Sequence, residues 1–259
     1  MKTSRRKSPI KVESVEVHMC SVDLRLEILS KVPFFAGLSR QDISSINRLF
    51  REHGCAPGET IYSASDPAER LFVLASGRVK LVQHTLGGKD VLLDILTPGE
   101  FFGSLSALGD QEYPDTAQAL TESCILRISA DDFRAVLDAY PSVALRVLDV
   151  LAGRLKAAQE MVRQLSAHSA EKRIAFTLLK LGEKLGVHQE VGWLIQVPLS
   201  REDLAQMTGT TLYTVSRLLC GWQRQGLVIT GRQRVEIVRP ERLLSIPPDS
   251  PRLGTAKSR

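Results

Sequence analysis

Residues 200–226 read SREDLAQMTGTTLYTVSRLLCGWQRQG and predict two short helices joined by a tight turn. Ser200 followed three positions later by Asp203 is a capping box, which marks the start of the first helix. Gly209 supplies the turn, because two helices that cross steeply need a residue with positive φ between them. The apolar residues of the second helix recur at helical spacing and form one buried stripe: Val215, Leu218, Leu219 and Trp222. The segment is therefore predicted to be a helix-turn-helix.

The opposite face of the second helix carries the side chains that we expect to meet DNA. Leu212, Tyr213, Ser216 and Arg217 lie there, in the half of the helix that reaches base edges in this motif. The planar guanidinium of Arg217 suits O6 and N7 of guanine. Two alternatives stay open: Arg217 as a phosphate contact and Ser216 as a helix-packing residue.

Other groups are predicted to contact phosphates. Hydroxyls and backbone N–H groups at helix N-termini bind anions, which indicates Ser200, Arg201 and Thr211. Arg232 and Arg234 follow in a predicted hairpin that is typical of the wing of a winged helix. Solvated surface charge is the alternative for these two arginines.

The composition suits a soluble protein, and the modest excess of Lys and Arg fits a polyanionic partner without proving one. The chain has 259 residues, a formal net charge of +5 and 43% hydrophobic residues, which suits one or two globular domains. No apolar run is long enough to cross a membrane, and no signal-peptide core follows the basic N-terminus. We therefore predict a cytoplasmic protein with no membrane partner.

The cysteines and the missing catalytic motifs argue against an enzyme or a metalloprotein. Cys20, Cys55, Cys124 and Cys220 are scattered and form no CxxC pair, so we expect free thiols and no metal site. Nucleophile elbow, P-loop, dinucleotide fingerprint and zinc motif are all missing from the sequence. We predict that the chain is not an enzyme.

A change of hydrophobic period marks a β-rich domain. From about residue 54 to 128 the period is two, and glycine turns separate short strand-like runs, which predicts a small antiparallel barrel or jelly roll. The predicted strands are Thr60–Tyr62, Arg70–Ala75, Arg78–Gln83, Val91–Leu96 and Cys124–Ile128. Such a shell is a rigid container that can hold a small ligand.

One long helix is predicted over residues 141–167. Its apolar residues alternate spacings of three and four: Leu148, Leu151, Leu155, Ala158, Val162 and Leu165. This a/d seam is typical of a parallel coiled-coil dimer, and burial against the chain's own barrel is the alternative. A hinge is expected near His168 and Ser169.

The order of these elements resembles the CRP/FNR superfamily of bacterial transcription regulators. The most specific pieces are RLFVLASGRVKL (70–81), LTPGEFFG (96–103), YPDTAQAL (113–120) and the segment 200–227. The resemblance implies an α+β fold: a cyclic-nucleotide-binding-type β-barrel (jelly roll), a long dimerisation helix and a C-terminal winged helix-turn-helix. The domains are then a flexible basic N-terminus (1–22), the effector-sensing barrel (23–140), the dimerisation helix (141–168), the DNA-binding domain (169–246) and a flexible tail (247–259).

The same resemblance implies an effector pocket but does not identify the effector. Its expected lining is Gly103, Ser104, Leu105, Tyr113 and Thr116. The cyclic-nucleotide branch of the family holds the ribose with an acidic residue and the phosphate with an Arg-Ser pair. Ser104 and the pair Tyr113-Pro114 stand at those places here. A buried phosphate without its guanidinium would be an uncompensated charge, which disfavours a cyclic nucleotide.

Three other sensors stay open to different degrees. An iron–sulfur cluster of the FNR kind is disfavoured, because Cys20 alone lies near the N-terminus and Cys124 falls beside the matching barrel position. A haem is possible, with His84 as a conceivable axial ligand, although a surface role is the commoner one for a lone histidine. A barrel without any ligand is the third reading. The stretch YPDTAQAL is more similar to the redox and nitric-oxide responsive branches than to the cyclic-AMP receptor branch.

The expected function is that of a sequence-specific regulator of transcription. The resemblance implies a homodimer on a near-palindromic promoter site, contact with RNA polymerase, and activation controlled by a small effector or redox signal. Tyr213 stands where the superfamily commonly carries Glu, so the half-site is expected to differ from the usual one. The alternatives are a regulator of the cyclic-AMP receptor type and a barrel-based signalling module that acts on a protein partner.

Overall fold

The structure is a computed structural model, and it describes residues 20–85, 90–103, 111–231 and 234–246.

Short helices precede the barrel. Helix α1 spans Val22–Lys31, a single 3-10 turn spans Pro33–Phe35, and helix α2 spans Arg40–Asn47. Ser39 and Asp42 form a capping box at the start of α2. Pro33 and Gly37 divide this region into short pieces, as residues that interrupt helices are expected to do.

Eight strands build the barrel. They are β1 (Arg51–Cys55), β2 (Thr60–Tyr62), β3 (Arg70–Ser76), β4 (Val79–His84), β5 (Asp90–Leu96), β6 (Phe101–Gly103), β7 (Thr116–Ala119) and β8 (Ser123–Ser129). Two antiparallel sheets result, in the orders β1-β8-β3-β6 and β2-β7-β4-β5. The five predicted strands are confirmed within one or two residues. The sequence missed β1, β6 and β7, which are short, polar or rich in small residues and so lack a clear alternation.

Strand β3 is buried on both faces, which explains its continuous apolar run. Leu71 and Val73 face the helical layer, where they join a cluster with residues of α1 and α2. Phe72 and Leu74 face the second sheet and join the barrel interior. Alternate side chains of one strand point to opposite faces, so β3 connects the two cores of the domain.

Three helices lead from the barrel to the C-terminal domain: α3 (Ala130–Ala139), α4 (Pro141–Ala167) and α5 (Ala170–Leu185). The predicted long helix is confirmed, and it ends at the predicted position. His168 is extended (φ −115°, ψ 145°), and the hydroxyl of Ser169 accepts from the backbone N–H of Lys172 to start α5. The chain therefore changes direction at the expected hinge.

The C-terminal domain is a small sheet with helices on it. Its elements are β9 (Gly186–His188), β10 (Trp193–Ile195), α6 (Arg201–Thr208), α7 (Leu212–Arg224), β11 (Val228–Gly231), β12 (Arg234–Ile237) and α8 (Pro240–Leu244). The strand order is β11-β12-β10-β9, and β11 and β12 form the predicted wing hairpin. Strands β9 and β10 precede α6 and pair with each other.

The two folded parts touch each other. Helix α6 packs against strand β5. Val82, Leu92 and Ile95 of the barrel belong to the same hydrophobic cluster as the core of the C-terminal domain. The sensor domain therefore contacts the first helix of the helix-turn-helix directly.

Candidate nucleic-acid interface and sensor interior

The helix-turn-helix begins with a complete capping box. The hydroxyl of Ser200 accepts from the Asp203 backbone N–H at 3.0 Å, and the Asp203 carboxylate accepts from the Ser200 backbone N–H at 2.7 Å. Gly209 ends α6 in the left-handed region (φ +59°, ψ 42°). Thr211 then caps α7 by accepting from the Thr214 backbone N–H. Local capping therefore sets both helix starts and the turn between them.

Helix α7 has one buried and one exposed face, as predicted. Val215, Leu219 and Trp222 are buried. The indole N–H of Trp222 also donates to Oε1 of Glu171 at 3.2 Å, which fixes α7 to α5. Buried anchors at regular spacing hold the outer face of the helix rigid.

The four predicted base-reading residues lie on or beside that outer face. Tyr213 is 76% exposed, and Leu212 and Arg217 are also exposed. Ser216 is half-buried, which brings it closer to the helix-packing alternative than its neighbours. Leu212 and Tyr213 therefore present large side chains to solvent on the same helix as Arg217.

The predicted phosphate-contacting residues differ in exposure and in the partners of their side chains. The hydroxyls of Ser200 and Thr211 are engaged in capping. Arg201 is exposed in the first turn of α6. Arg234 is exposed and lies 3.9 Å from Oε2 of Glu236. Arg232 lies outside the described residues.

Arg173 ties the hinge to the turn of the helix-turn-helix, a role that the sequence did not reveal. Its Nη1 donates to the carbonyl of His168 at 2.8 Å, and its Nε donates to the carbonyl of Thr208 at 2.8 Å. Its Nη2 reaches the carbonyl of Gly209 at 3.3 Å. A guanidinium suits these carbonyls because the C-terminal end of a helix carries partial negative charge. Arg173 therefore connects the end of α4 to the turn before α7.

The predicted dimer seam is largely exposed in the single chain. Leu155 is 61% exposed, and Leu148, Ala158, Val162 and Leu165 are exposed too. Leu151 differs, because it packs against the core of the sensor domain. The alternative of burial against the chain's own barrel therefore holds for Leu151, while the rest of the seam presents an apolar stripe.

Aromatic rings fill the interior of the barrel. Tyr62 and Tyr113 stack with centroids 4.0 Å apart, and Phe72 and Phe102 stack beside them at 5.3 Å. The hydroxyl of Tyr113 accepts from the backbone N–H of Arg70 at 3.1 Å and donates to its carbonyl at 3.0 Å. Tyr113 was expected to line the effector pocket. The structure places its side chain inside the barrel, where ring stacking and two backbone hydrogen bonds hold it.

A carboxyl group lies beside the stack. The hydroxyl of Tyr62 donates to Oδ1 of Asp115 at 2.8 Å. Burial raises the pKa of the Asp115 carboxyl above its usual range, although the Tyr62 hydrogen bond and the charge of Arg154 oppose the shift. Burial also raises the pKa of the Tyr62 phenol.

The other expected pocket residues are partly described. Gly103 ends β6 with φ +89°, and a Cβ there would lie 2.9 Å from the ring of Phe72. Thr116 is half-buried, and its hydroxyl accepts from the backbone N–H of Ala64 at 3.0 Å. Ser104 and Leu105 lie outside the described residues.

His84 is not placed to face a cofactor inside the barrel. It is exposed at the end of β4, and its Nδ1 lies 2.6 Å from Oδ1 of Asp90. The surface role is the one that the structure supports.

Comparison with known proteins agrees with this architecture. The family described as "Cyclic nucleotide-binding domain" matches residues 53–140, and the family described as "Crp-like helix-turn-helix domain" matches residues 172–246. The Cyclic AMP receptor protein of Thermus thermophilus is 33% identical over 205 residues, which are 79% of this chain and 92% of that protein. The chain belongs to the CRP/FNR family of transcription regulators.

Relatives of this CRP/FNR chain include proteins of the FNR type. The Transcriptional activator protein FnrA of Stutzerimonas stutzeri is 25% identical over 202 residues, which are 78% of this chain and 82% of that protein. The solved structure of FixK2 from Bradyrhizobium japonicum has the same fold, with a TM-score of 0.69 and 23% identity, over 78% of this chain and 98% of that one. The relatives are transcription regulators, and DNA binding by the C-terminal domain follows from the family. Within the described residues, no helix is both long and apolar enough to span a bilayer.

Proposed function

We propose that this CRP/FNR regulator binds a near-palindromic promoter site as a homodimer and activates transcription under control of its sensor domain. The observation that carries the proposal is the rigid, exposed face of α7, with Tyr213 and Arg217 projecting above a buried stripe. The apolar stripe on α4 supports the dimer, because an exposed a/d seam of this length is buried most simply by a second copy. Contact with RNA polymerase follows from the proposed position beside a promoter.

Each subunit would read one half-site through α7. Arg217 would hydrogen-bond a guanine, Ser216 would contact a neighbouring base, and Tyr213 with Leu212 would contact thymine methyl groups. Arg201 and Arg234, with the N-termini of α6 and α7, would hold phosphates and set the register. Twofold symmetry would place the two half-sites one helical turn apart.

The control of binding would run through the hinge. Arg173 links the His168 carbonyl to the turn at Gly209, and α6 rests on β5 of the barrel. A small effector or a redox signal that shifts the barrel would change the separation of the two α7 helices. Only a signal that favours one arrangement can shift the population of dimers competent for the operator.

Removing the Arg217 guanidinium tests the recognition face. We would select the binding site of the wild-type protein from random duplexes and measure Kd by fluorescence anisotropy at fixed salt. Arg217→Ala is expected to weaken binding by roughly 5- to 150-fold, the equivalent of about 1–3 kcal/mol, and to relax the sequence preference at one position of each half-site. Arg224→Ala is the matched control, because Arg224 is exposed at the far end of the same helix. Equal effects of the two substitutions would refute the proposed recognition face.

A cyclic nucleotide is the second candidate effector, because the relative from Thermus thermophilus is named a cyclic AMP receptor protein. Native mass spectrometry of protein purified without oxygen distinguishes the candidates. A dimer with the added mass of haem, a cluster or a nucleotide identifies the effector class. A dimer of bare polypeptide mass indicates a reversible effector or none, and a monomer would contradict the proposed homodimer.

A further inference from the structure

Two cysteines and a glutamate that are distant in sequence converge at the junction of the N-terminal segment and the barrel. Cys20 lies two residues before the start of α1, Glu52 lies on β1, and Cys124 lies on β8. Their ligand atoms all lie within 4.8 Å of one another. Cys20 is 6% exposed and Cys124 is fully buried, so the cluster belongs to the interior of the domain.

The carboxylate of Glu52 contacts both cysteines, but only one of its two oxygens has hydrogen-bond partners. Its Oε1 accepts from the backbone N–H of Cys20 at 3.0 Å and from the thiol of Cys124 at 3.5 Å. The two sulfurs lie 2.8 Å apart. Oε2 of Glu52 is buried and has no hydrogen-bond partner. A buried carboxylate oxygen without a partner is costly, and a cation beside it removes that cost.

We propose that Cys20, Cys124 and Glu52 form a binding site for a thiophilic divalent cation such as Zn²⁺. Two thiolates and one carboxylate are a typical ligand set for Zn²⁺, and the fourth position would be taken by water. Metal–sulfur lengths of about 2.3 Å place two thiolates on one tetrahedral ion about 3.7 Å apart, so the sulfurs would separate by about 1 Å on binding. The two thiol protons would be released to solvent.

The surroundings fit the charge of such a site. Arg25 lies near Cys20, and its Nη2 donates to the carbonyls of Asn47 and Phe50, which holds the guanidinium beside the cluster. Two thiolates and a carboxylate are balanced by a divalent ion and this one guanidinium. A Cys20–Cys124 disulfide would leave Oε2 of Glu52 unpartnered against two uncharged sulfurs, so the cation explains the cluster better.

The site is not a four-cysteine cluster. Cys55 lies in a separate group with His53 and Glu59, and Cys220 is exposed on α7. A cation bound by Cys20 and Cys124 would connect the segment before α1 to β8. The metal would therefore stabilise the attachment of the N-terminal segment to the sensor domain.

Cobalt titration of the full chain tests the site. We would strip the protein with a chelator, reduce it, exclude oxygen and add Co²⁺, which reports thiolate ligation by a charge-transfer band in the near ultraviolet. The wild-type protein is expected to show this band, saturating at one equivalent of Co²⁺, and to melt at a temperature that rises with Co²⁺ concentration. Zn²⁺ should displace the band.

Matched variants identify the ligands. Cys20→Ser and Cys124→Ser are expected to abolish the saturable band, and Glu52→Gln to weaken Co²⁺ binding at least about tenfold. Cys55→Ser and Cys220→Ser should leave it unchanged. Glutamine has nearly the same shape as glutamate. Glu52→Gln therefore tests the proposed site even if a cysteine variant fails to fold.

Three results would overturn the proposal. The first is a reduced wild-type protein without the band, and the second is a band that survives Cys124→Ser or disappears in Cys55→Ser. The third is peptide mapping that finds a Cys20–Cys124 disulfide in protein isolated without reductant, together with no metal binding after reduction.

Discussion

Lys184 of α5 forms an ion pair with Asp94 of β5, with its Nζ 3.0 and 2.9 Å from the two carboxylate oxygens. The same Nζ lies 3.0 Å from Oε1 of Glu100. The Lys184 side chain is 21% exposed, so this contact between the sensor and DNA-binding domains is partly shielded from water. One ammonium group thus pairs with two carboxylates of the barrel at the place where the domains meet.

Lys184→Met tests how far this ion pair holds the domains together. The substitution leaves Asp94 and Glu100 to repel each other and is expected to cost about 1–2 kcal/mol of stability, between the values for exposed and buried pairs. Urea unfolding measures the loss, and hydrogen exchange of β5 should accelerate. Lys180→Met is the control, because Lys180 is exposed on the same helix. An unchanged exchange rate in β5 would show that apolar contacts alone hold the domains.

The apolar stripe of α4 predicts a dimer that a single charge can break. Leu155→Glu places a carboxylate in the proposed seam, where burial without a partner is unfavourable. We expect monomers in sedimentation velocity and a loss of operator binding. Leu244→Glu is the control, since Leu244 is similarly exposed but lies on α8. A dimer that persists in Leu155→Glu would place the interface elsewhere.

Two glycines of the C-terminal domain should respond oppositely to alanine. Gly192 has φ +82°, and a Cβ there would lie 1.8 Å from the carbonyl oxygen of Ile237, so Gly192→Ala should destabilise by at least about 2 kcal/mol. Gly221 lies inside α7 with open space around it, so Gly221→Ala should stabilise by about 0.8–1 kcal/mol. Thermal unfolding of both variants checks this, and the same sign for both would contradict the described backbone.

Asp115 predicts a pH-dependent stability. Its pKa is raised in the folded state, so the unfolded chain loses the proton first as the pH rises. The folded state therefore loses stability between the unfolded pKa, near 4 for an aspartate, and the raised folded pKa. Asp115→Asn removes this dependence and should gain stability relative to wild type as the pH rises from about 4 towards neutrality.

Urea unfolding across that pH range provides the comparison. Asp138→Asn is the control, because Asp138 is exposed on α3 and its substitution removes the same charge. If the free energies of unfolding of wild type and Asp115→Asn change with pH in parallel, the pKa of the Asp115 carboxyl is not raised by folding.

Local signals predicted the DNA-binding half of the chain well. Capping at Ser200 and Thr211, the turn at Gly209 and the stripe through Trp222 involve neighbours within a few residues, so propensity and periodicity suffice to recognise them. The barrel was recognised from alternation and glycine turns. Its weakest strands were missed because their stability comes from neighbouring strands.

The sensor interior could not be predicted in the same way. Tyr113 was assigned to an effector pocket because of its place in the family pattern. Whether a ring lines a cavity or fills it depends on the residues that fold against it, here Tyr62 and Phe72 from other strands. Packing between distant segments decides this, and it leaves no periodic signal in the sequence.

The sequence by itself determined the order of the elements, the capped helices of the helix-turn-helix and the end of α4 at His168, because short-range chemistry specifies each of these, and its motifs resembled one family. The tertiary structure alone decided which distant groups meet. It brought Cys20 to Cys124 across 104 positions and Lys184 to Asp94 across 90 positions. Such contacts arise where chain topology closes long loops, and their energy comes from burial and charge that no local segment contains.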